Sequence, residues 1–447
     1  VGVTFYPEGK DVDADQLLRQ ADQAMYQAKL AGKNQYHIFD ALQDSSIRSH
    51  HESIDRIRRA SREREFVLLY QPRVDMYKGT VIGVEALIRW QHPERGLLPP
   101  AMFLPTIEEH ALSVEIGEWV IDSALTQMEV WQAAGLALPI SVNVGARQLQ
   151  QAGFVECLRA MLAAHPTVRP TDLELEVLET SALQDLVQIS SVIVACGEIG
   201  VSFTLDDFGT GYSSLTYLKR LPVARLKIDQ SFVRDMLDDP DDLAILEGVL
   251  GMAAAFRREV VAEGVETVEQ GAMLLQLGCR RAQGYGIAPP MPAGEIPAWA
   301  ASWRTDPSWG ALPVVNRDDL PLLFASARHR AWIADIERRL KGGPEARPAL
   351  DAHQCHIGRW LDGKGLARYG GHPAFQAIDP LHREAHALVA EVLSLHDEGR
   401  SEEARARLAE VHATAAALIA QFKVLCRDVS EKTPVPGIRR PHYEPAP

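Results

Sequence analysis

Residues Val201 to Leu215 read VSFTLDDFGTGYSSL, and the fold is decided by how this stretch is taken. Val201, Phe203 and Leu205 alternate with smaller residues, as in a strand buried on one face, and Asp206 and Asp207 fall at its carboxyl end before a glycine-rich turn. Adjacent carboxylates repel, and one or two divalent cations relieve that repulsion. The same pair also suits the cap of a following helix in a solvated turn. The neighbouring sequence decides between the two.

Working outward, eight strand-like runs lie between Phe66 and Ile287: FVLLYQPRV, VIGVEALIRW, ISVNVG, LELEVLE, VSFTLDD, ARLKID, EVVAEGVE and AQGYGI. Amphipathic helical stretches such as Glu118 to Ala134 and Leu243 to Phe256 separate most of them. Such alternation predicts a parallel sheet closed into a (β/α)₈ TIM-like barrel, an α/β fold, with an open doubly wound sheet as the alternative. Glu85, Asn143, Glu176 with Glu179, Asp206 with Asp207, Lys227, Glu263 with Glu266, and Gln283 each fall within or at the end of a different run. Any one of these acids alone suits an ordinary surface or capping role. In a barrel the carboxyl ends of the strands converge on one face, so side chains delivered by seven strands predict a shared polar site there.

At 447 residues, with 46% hydrophobic and 24% charged residues, the chain has globular composition and room for two or three domains. It opens at Val1 directly into strand-like sequence, which reads as a piece of a longer protein. No apolar run approaches the roughly 18 residues of a membrane span and no signal segment opens the chain, so a cytoplasmic location is expected. The net charge of −14 argues against a surface that tracks long nucleic acid, while a small anionic nucleotide held through cations stays compatible. Five cysteines without paired spacing (Cys157, Cys196, Cys279, Cys355, Cys426) predict no disulfide framework.

The barrel motifs resemble one family. Glu85-Ala86-Leu87-Ile88-Arg89, NVGARQL (Asn143 to Leu149), DDFGTGYSSL (Asp206 to Leu215), LKID (Leu226 to Asp229), AEGVE (Ala262 to Glu266) and QGY (Gln283 to Tyr285) match, in order and spacing, the blocks of EAL-domain cyclic di-GMP phosphodiesterases over about Glu65 to Pro292. The resemblance implies hydrolysis of cyclic di-GMP to linear pGpG with two Mg²⁺ or Mn²⁺ ions. One ion would be held by Glu85, Asn143, Glu176 and Asp206, and the other by Asp206, Asp207 and Glu263. It also implies that Lys227 orients the attacking water or meets phosphate, that Glu179 steadies the DDFGTG loop, and that Gln71, Arg89, Gln283 and Glu266 face substrate. A homodimer is expected on the same ground. Gly145, Leu178, Arg280 and Ile287 depart from the usual pattern, and none is an implied metal ligand. The alternative from another class is a silent cyclic di-GMP receptor, and the presence of every implied ligand favours the enzyme.

The flanks read differently. Residues 1–40 resemble the end of a GGDEF (diguanylate cyclase) domain, through the helix DADQLLRQADQAMYQAKLAGKNQ, but the motif that names that family is absent. Residues 41–64 form a polar helical connector, 65–300 the barrel, and 301–319 a linker within a Trp- and Pro-containing stretch. Residues 320–428 read as an all-α bundle of helices near Leu320 to Lys341, Pro380 to Asp397 and Ser401 to Arg427. The tail, residues 429–447, is rich in Pro and charge and is expected to be disordered. Eight of the 15 histidines lie between His329 and His412, and His382 and His386 stand one helical turn apart, a spacing that lets one helix offer two ligands to one metal. Exposed histidines spaced so by chance are the bland reading of an isolated pair. ARHRAW, HQCHIGRWLDGKG and PLHREAH together resemble the CZB (chemoreceptor zinc-binding) domain. That resemblance implies one zinc ion on His329, Cys355, His382 and His386 and a zinc-responsive barrel, with His353, His356 and His372 as flanking histidines.

Overall fold

The computed structural model describes residues 1–5, 14, 17, 18, 20–22, 24, 25, 36–38, 41–211, 215–310, 312–343 and 350–432. Most of the GGDEF-like helix, the end of the DDFGTGYSSL block and the tail from Thr433 lie outside these residues. The chain divides into two compact units, residues 1–67 with 88–116 and residues 68–87 with 117–447.

In the first unit Gly2–Val3 pairs in parallel with His37–Ile38. A helix, Ala41–Arg62, buries Ile54, Ile57 and Ala60. Glu65 receives both Arg56 at 2.7 Å and the indole N–H of Trp90 at 2.7 Å, and Phe66, Trp90 and Phe103 form an aromatic cluster with centroids 5.4 to 5.9 Å apart.

The second unit holds most of the barrel, residues 66–67 and 88–92 of its first two strands being counted with the first unit. The barrel strands are β1 (Phe66–Asp75), β2 (Thr80–His92), β3 (Ile140–Asn143), β4 (Leu173–Leu178), β5 (Ser202–Phe208), β6 (Arg225–Ile228), β7 (Glu259–Ala262) and β8 (Arg281–Ala282). They pair in the order β1-β8-β7-β6-β5-β4-β3-β2, and β1 with β2 closes the ring. Strands β2 to β8 run parallel, but β1 lies antiparallel to β8, with Val74 opposite Ala282 and Asp75 opposite Arg281. This corrects the expectation of an all-parallel sheet. The turn Tyr77 to Gly79 carries β1 straight into β2, without the crossover helix that a parallel neighbour requires.

Side chains two apart share a strand face. In β4, Leu173, Leu175 and Val177 are wholly buried and alternate with Glu174 and Glu176, which the contacts below place inside the ring. The barrel interior is therefore charged, whereas barrels of this class usually fill it with branched apolar residues.

Behind the barrel lie helices α1 (Pro240–Ala255) and α2 (Val268–Leu277), then the bundle helices α3 (Pro321–Leu340), α4 (Pro373–Asp397) and α5 (Ser401–Lys432). Ile336, Val389, Val392 and Val411 form the centre of the bundle core. Helix α4 starts at Pro373, one full turn and more before the expected Pro380, because His372 caps it by accepting the Ala374 N–H at 3.2 Å and Pro373 at the first position needs no partner for its missing N–H. Pro380 sits inside the helix. Among the described residues α5 alone is long and apolar enough by composition to cross a membrane, yet that apolarity is largely alanine, and its Val411, Leu418, Phe422 and Leu425 are buried in the bundle. The Trp- and Pro-containing stretch is anchored at Thr305 and Trp309. Thr305 donates to the Met76 carbonyl at 2.6 Å, and buried Trp309 donates to the Val268 carbonyl at 2.9 Å over Gly271, where a Cβ would come within 2.3 Å of the indole.

Candidate functional site

Two polar layers follow from the two-residue period of the strands. The inner layer runs as a chain of ion pairs from solvent to the centre. Arg281 meets Glu259 at 2.6 Å, Glu259 meets Arg225 at 2.8 Å, Arg225 meets Glu174 at 2.9 Å, and Glu174 meets Arg73 at 3.0 Å. Arg73 also reaches Glu176 at 3.3 Å. Arg281 is half-buried and Glu259 exposed, whereas Arg73, Glu174 and Glu176 are buried.

The second layer lies at the carboxyl strand ends. The Lys227 ammonium contacts Glu263 at 2.6 Å, Glu176 at 2.7 Å, and Glu85 and Asp206 both at 3.2 Å. Asn143 donates to Glu85 at 2.7 Å; Gln283 donates to Glu85 at 2.6 Å and to Gln71 at 2.9 Å; Gln71 donates to the Ala288 carbonyl at 3.0 Å. Two acid triplets result, Glu85 with Glu176 and Asp206, and Asp206 with Asp207 and Glu263, each offering oxygens within 4.8 Å of one another. Asp206 belongs to both.

Asp207 completes the second triplet through its backbone. Its φ of 53° is left-handed, uncommon for a residue other than glycine, and its N–H donates to Asp206 Oδ1 at 2.9 Å. The following loop is held by buried Glu179, which accepts the Gly209 N–H at 3.0 Å. At Gly211 a Cβ would stand 3.1 Å from Glu179 Oε1, so the close approach suits glycine.

Burial disfavours charge here, and the acids show it. Glu263 is pushed up to about 8 by burial, reinforced by Asp206 and Glu85 against the pull of Lys227. Burial with Asp206 and Asp229 raises Asp207 to about 6, and burial with Glu85 drives Glu176 well above the carboxylate range. Glu85 alone in the upper layer is lowered: burial opposes ionisation, but Lys227, Gln283 and Asn143 outweigh it. A site with more carboxylates than its single lysine can neutralise fits bound divalent cations, and all-oxygen donors with an amide suit hard ions.

In the bundle, Cys355, His382 and His386 bring ligand atoms within 4.8 Å of one another, with Cys355 Sγ 3.3 Å from His382 Nε2. His386 Nδ1 donates to the Leu350 carbonyl at 3.0 Å, which leaves Nε2 for a metal. His329 stands outside this trio, its ring centroid 6.3 Å from that of His382; its Nε2 is buried and has no hydrogen-bond partner among the described residues. Burial lowers His329 and His382 to about 4 and lowers His386, so all three are neutral at pH 7, the form that binds zinc. Burial raises the Cys355 thiol, whose sulfur accepts the Gly358 N–H at 3.2 Å. The donor set fits a zinc ion. The flanking histidines have other contacts or none in this set: His353 pairs with Asp362 at 2.8 Å and His372 caps α4, while His356 is exposed.

Residues 54–290 match the EAL domain family, more than half of the chain. The chain belongs to the EAL-domain family. Residues 329–393 match the chemoreceptor zinc-binding domain, CZB. MucR of Pseudomonas aeruginosa, a bifunctional diguanylate cyclase/cyclic di-GMP phosphodiesterase, is 41% identical over 302 residues, 67% of this chain and 44% of that protein. The cyclic di-GMP phosphodiesterase PdeR of Escherichia coli is 36% identical over 300 residues, 67% of this chain and 45% of that protein. The chain thus spans about half the length of the curated relatives it matches. The solved PaMucR phosphodiesterase in complex with c-di-GMP is 43% identical, with a TM-score of 0.53, over 55% of this chain and 99% of that one.

Within the EAL barrel the structure brings Gln71, Glu85, Asn143, Glu176, Asp206, Asp207, Lys227, Glu263 and Gln283 to one place, with Glu179 behind the loop. Glu266 is not brought in; its side chain is exposed, and its backbone N–H donates to Gln270. Arg89 belongs to the other compact unit, where its guanidinium donates to the Ile88 carbonyl at 2.9 Å. Arg280, one of the departures, stacks over the Tyr77 ring at 4.5 Å. Sequence reasoning missed Arg73, Glu174, Arg225, Glu259 and Arg281. The signal was present as charged residues two positions before or after a site residue, as in Glu174/Glu176, Arg225/Lys227 and Arg281/Gln283.

Proposed function

We propose that the chain hydrolyses cyclic di-GMP to linear pGpG in the barrel, with metal ions as cofactors, and that zinc in the C-terminal bundle regulates the rate. The observation that carries this reading is the pair of acid triplets sharing Asp206. In it Glu85, Asn143, Glu176 and Asp206 hold one Mg²⁺ or Mn²⁺, and Asp206, Asp207 and Glu263 hold a second. When bound, two such ions neutralise phosphate oxygens and lower the pKa of a water. Lys227 holds its ammonium among the acids, within reach of the water or phosphate that enters between them. Glu179 acts at one remove, fixing the Asp207 loop through Gly209. Gln71 and Gln283 orient substrate by amide hydrogen bonds, Arg89 meets its phosphate or guanine, and Glu266 helps complete the site.

His329, Cys355, His382 and His386 hold the zinc in this reading, and a homodimer in the cytoplasm is the working form. Residues 1–40 are the closing part of a GGDEF-like domain. The experiment is an assay of purified chain on cyclic di-GMP with Mg²⁺, Mn²⁺ or chelator, resolving the linear product by chromatography. Binding of cyclic di-GMP without turnover in either metal refutes hydrolysis and selects the silent-receptor reading.

A further inference from the structure

A cavity of about 410 Å³ opens where the zinc-binding bundle meets barrel helix α1, and none of the acid-triplet residues lines it. Its walls are chemically distinct. Arg317 and Arg328 supply two guanidinium groups, Phe324 and Trp360 supply aromatic faces, and Glu247 of α1 supplies a single carboxylate, with His356 beside them. Among the described residues neither arginine makes a hydrogen bond or ion pair, although both could do so with a dianion between them. Their concentration in one recess of a chain with net charge −14 calls for an anionic ligand.

The volume lies near the lower limit of small-molecule pockets, about 300 to 1,000 Å³, which suits one ring system rather than two. Aromatic walls favour a planar ring, by stacking. A carboxylate on the wall accepts hydrogen bonds only, so it favours a ring edge that carries adjacent N–H donors. We propose that this cavity binds a guanine mononucleotide, with the phosphate on Arg317 and Arg328, the base against Phe324 and Trp360, and its N–H edge toward Glu247. This goes beyond the reading of the barrel and does not depend on it.

The site is placed to be felt on both sides. Arg328 precedes His329 and His356 follows Cys355, two of the bundle residues described above, while α1 lies between β6, which carries Lys227, and β7, which Glu263 directly follows.

The test is calorimetric titration of the full chain with guanosine monophosphate, inorganic phosphate, guanosine and adenosine monophosphate. Guanosine monophosphate should bind at least about tenfold more tightly than either phosphate or guanosine alone, because both halves of the site then contribute. Arg317→Ala with Arg328→Ala should weaken it about tenfold or more, and the exposed single variant Arg317→Glu should do the same if the double variant folds poorly. Glu247→Gln should narrow the preference over adenosine monophosphate, and Asp206→Asn with Glu263→Gln should leave the affinity unchanged. No binding by wild type up to about 1 mM, which corresponds to about 4 kcal/mol, overturns the proposal. So does inorganic phosphate binding as tightly as the nucleotide, binding insensitive to Arg317→Glu, or binding lost in the Asp206/Glu263 variant.

Discussion

Replacing Arg73 by methionine removes a buried cation that touches both Glu174 and Glu176 in the barrel interior. Taking one partner from a buried ion pair costs about 3–5 kcal/mol, because the remaining charge is left without compensation. Here neither acid is fully stranded: Glu174 keeps Arg225 at 2.9 Å and Glu176 keeps Lys227 at 2.7 Å. The cost should therefore sit at the lower end, about 3 kcal/mol, and at about 2–4 °C per kcal/mol for a domain of this size the barrel should melt about 6–12 °C lower. The loss should be largest with metals removed. A divalent cation on Glu176 supplies the missing positive charge, so saturating Mn²⁺ should recover about half the loss or more. Differential scanning calorimetry of wild type and Arg73→Met, each in chelator and in Mn²⁺, gives the four melting temperatures. A fall below about 2 °C, or an equal fall in both conditions, refutes the charge argument and leaves Arg73 as packing.

Asp206→Asn should abolish hydrolysis while the protein still folds, since one shared ligand serves both triplets; activity above about a tenth of wild type in Mg²⁺ would refute the sharing. Lys227→Ala should lower hydrolysis while metal occupancy, read by elemental analysis, is retained, and parallel loss of both would make the lysine a scaffold for the ions instead. Burial holds Glu263 near 8 and Asp207 near 6, both above their ordinary values, so the metal-free folded state binds more protons than the unfolded one across that span. Metal-free stability should thus be fullest below the ordinary carboxylate range and fall as pH rises toward 8, while Mn²⁺ affinity rises over the same interval; thermal scans and metal titrations at pH 5, 6.5 and 8 check both signs. Zinc removal by chelator, or Cys355→Ala, should lower the melting temperature of the bundle and change the hydrolysis rate, and metal analysis finding no zinc in purified protein would remove the site.

Much of this was legible because strand ends and helix turns are local. The acids at the carboxyl ends of successive runs converged as the barrel geometry requires, and the one-turn spacing of His382 and His386 put both rings on one face of α4. The inner layer was hidden because Arg73, Glu174 and Arg225 look like ordinary charged residues until the ring brings three distant strands together. The direction of β1 was also hidden, since an antiparallel and a parallel strand share the same side-chain period. Pro380 looked like a helix start, yet α4 carries it inside, and Trp309 looked like linker because its docking depends on a hole above Gly271, 38 residues earlier in the chain.

The charged interior has a consequence for how such barrels change over generations. Six acids, Glu85, Glu174, Glu176, Asp206, Glu259 and Glu263, face four cations, Arg73, Arg225, Lys227 and Arg281. With Asp207 of the second triplet the acids number seven, so a lineage that lost Glu85, Asp207 and Glu263 would bring the two signs level and no longer need an ion for the barrel to be at ease. Loss of catalysis would then come with a gain in robustness. Selection for abundance or heat tolerance alone could therefore turn an enzyme of this architecture into a binding protein, with no selection for binding at all.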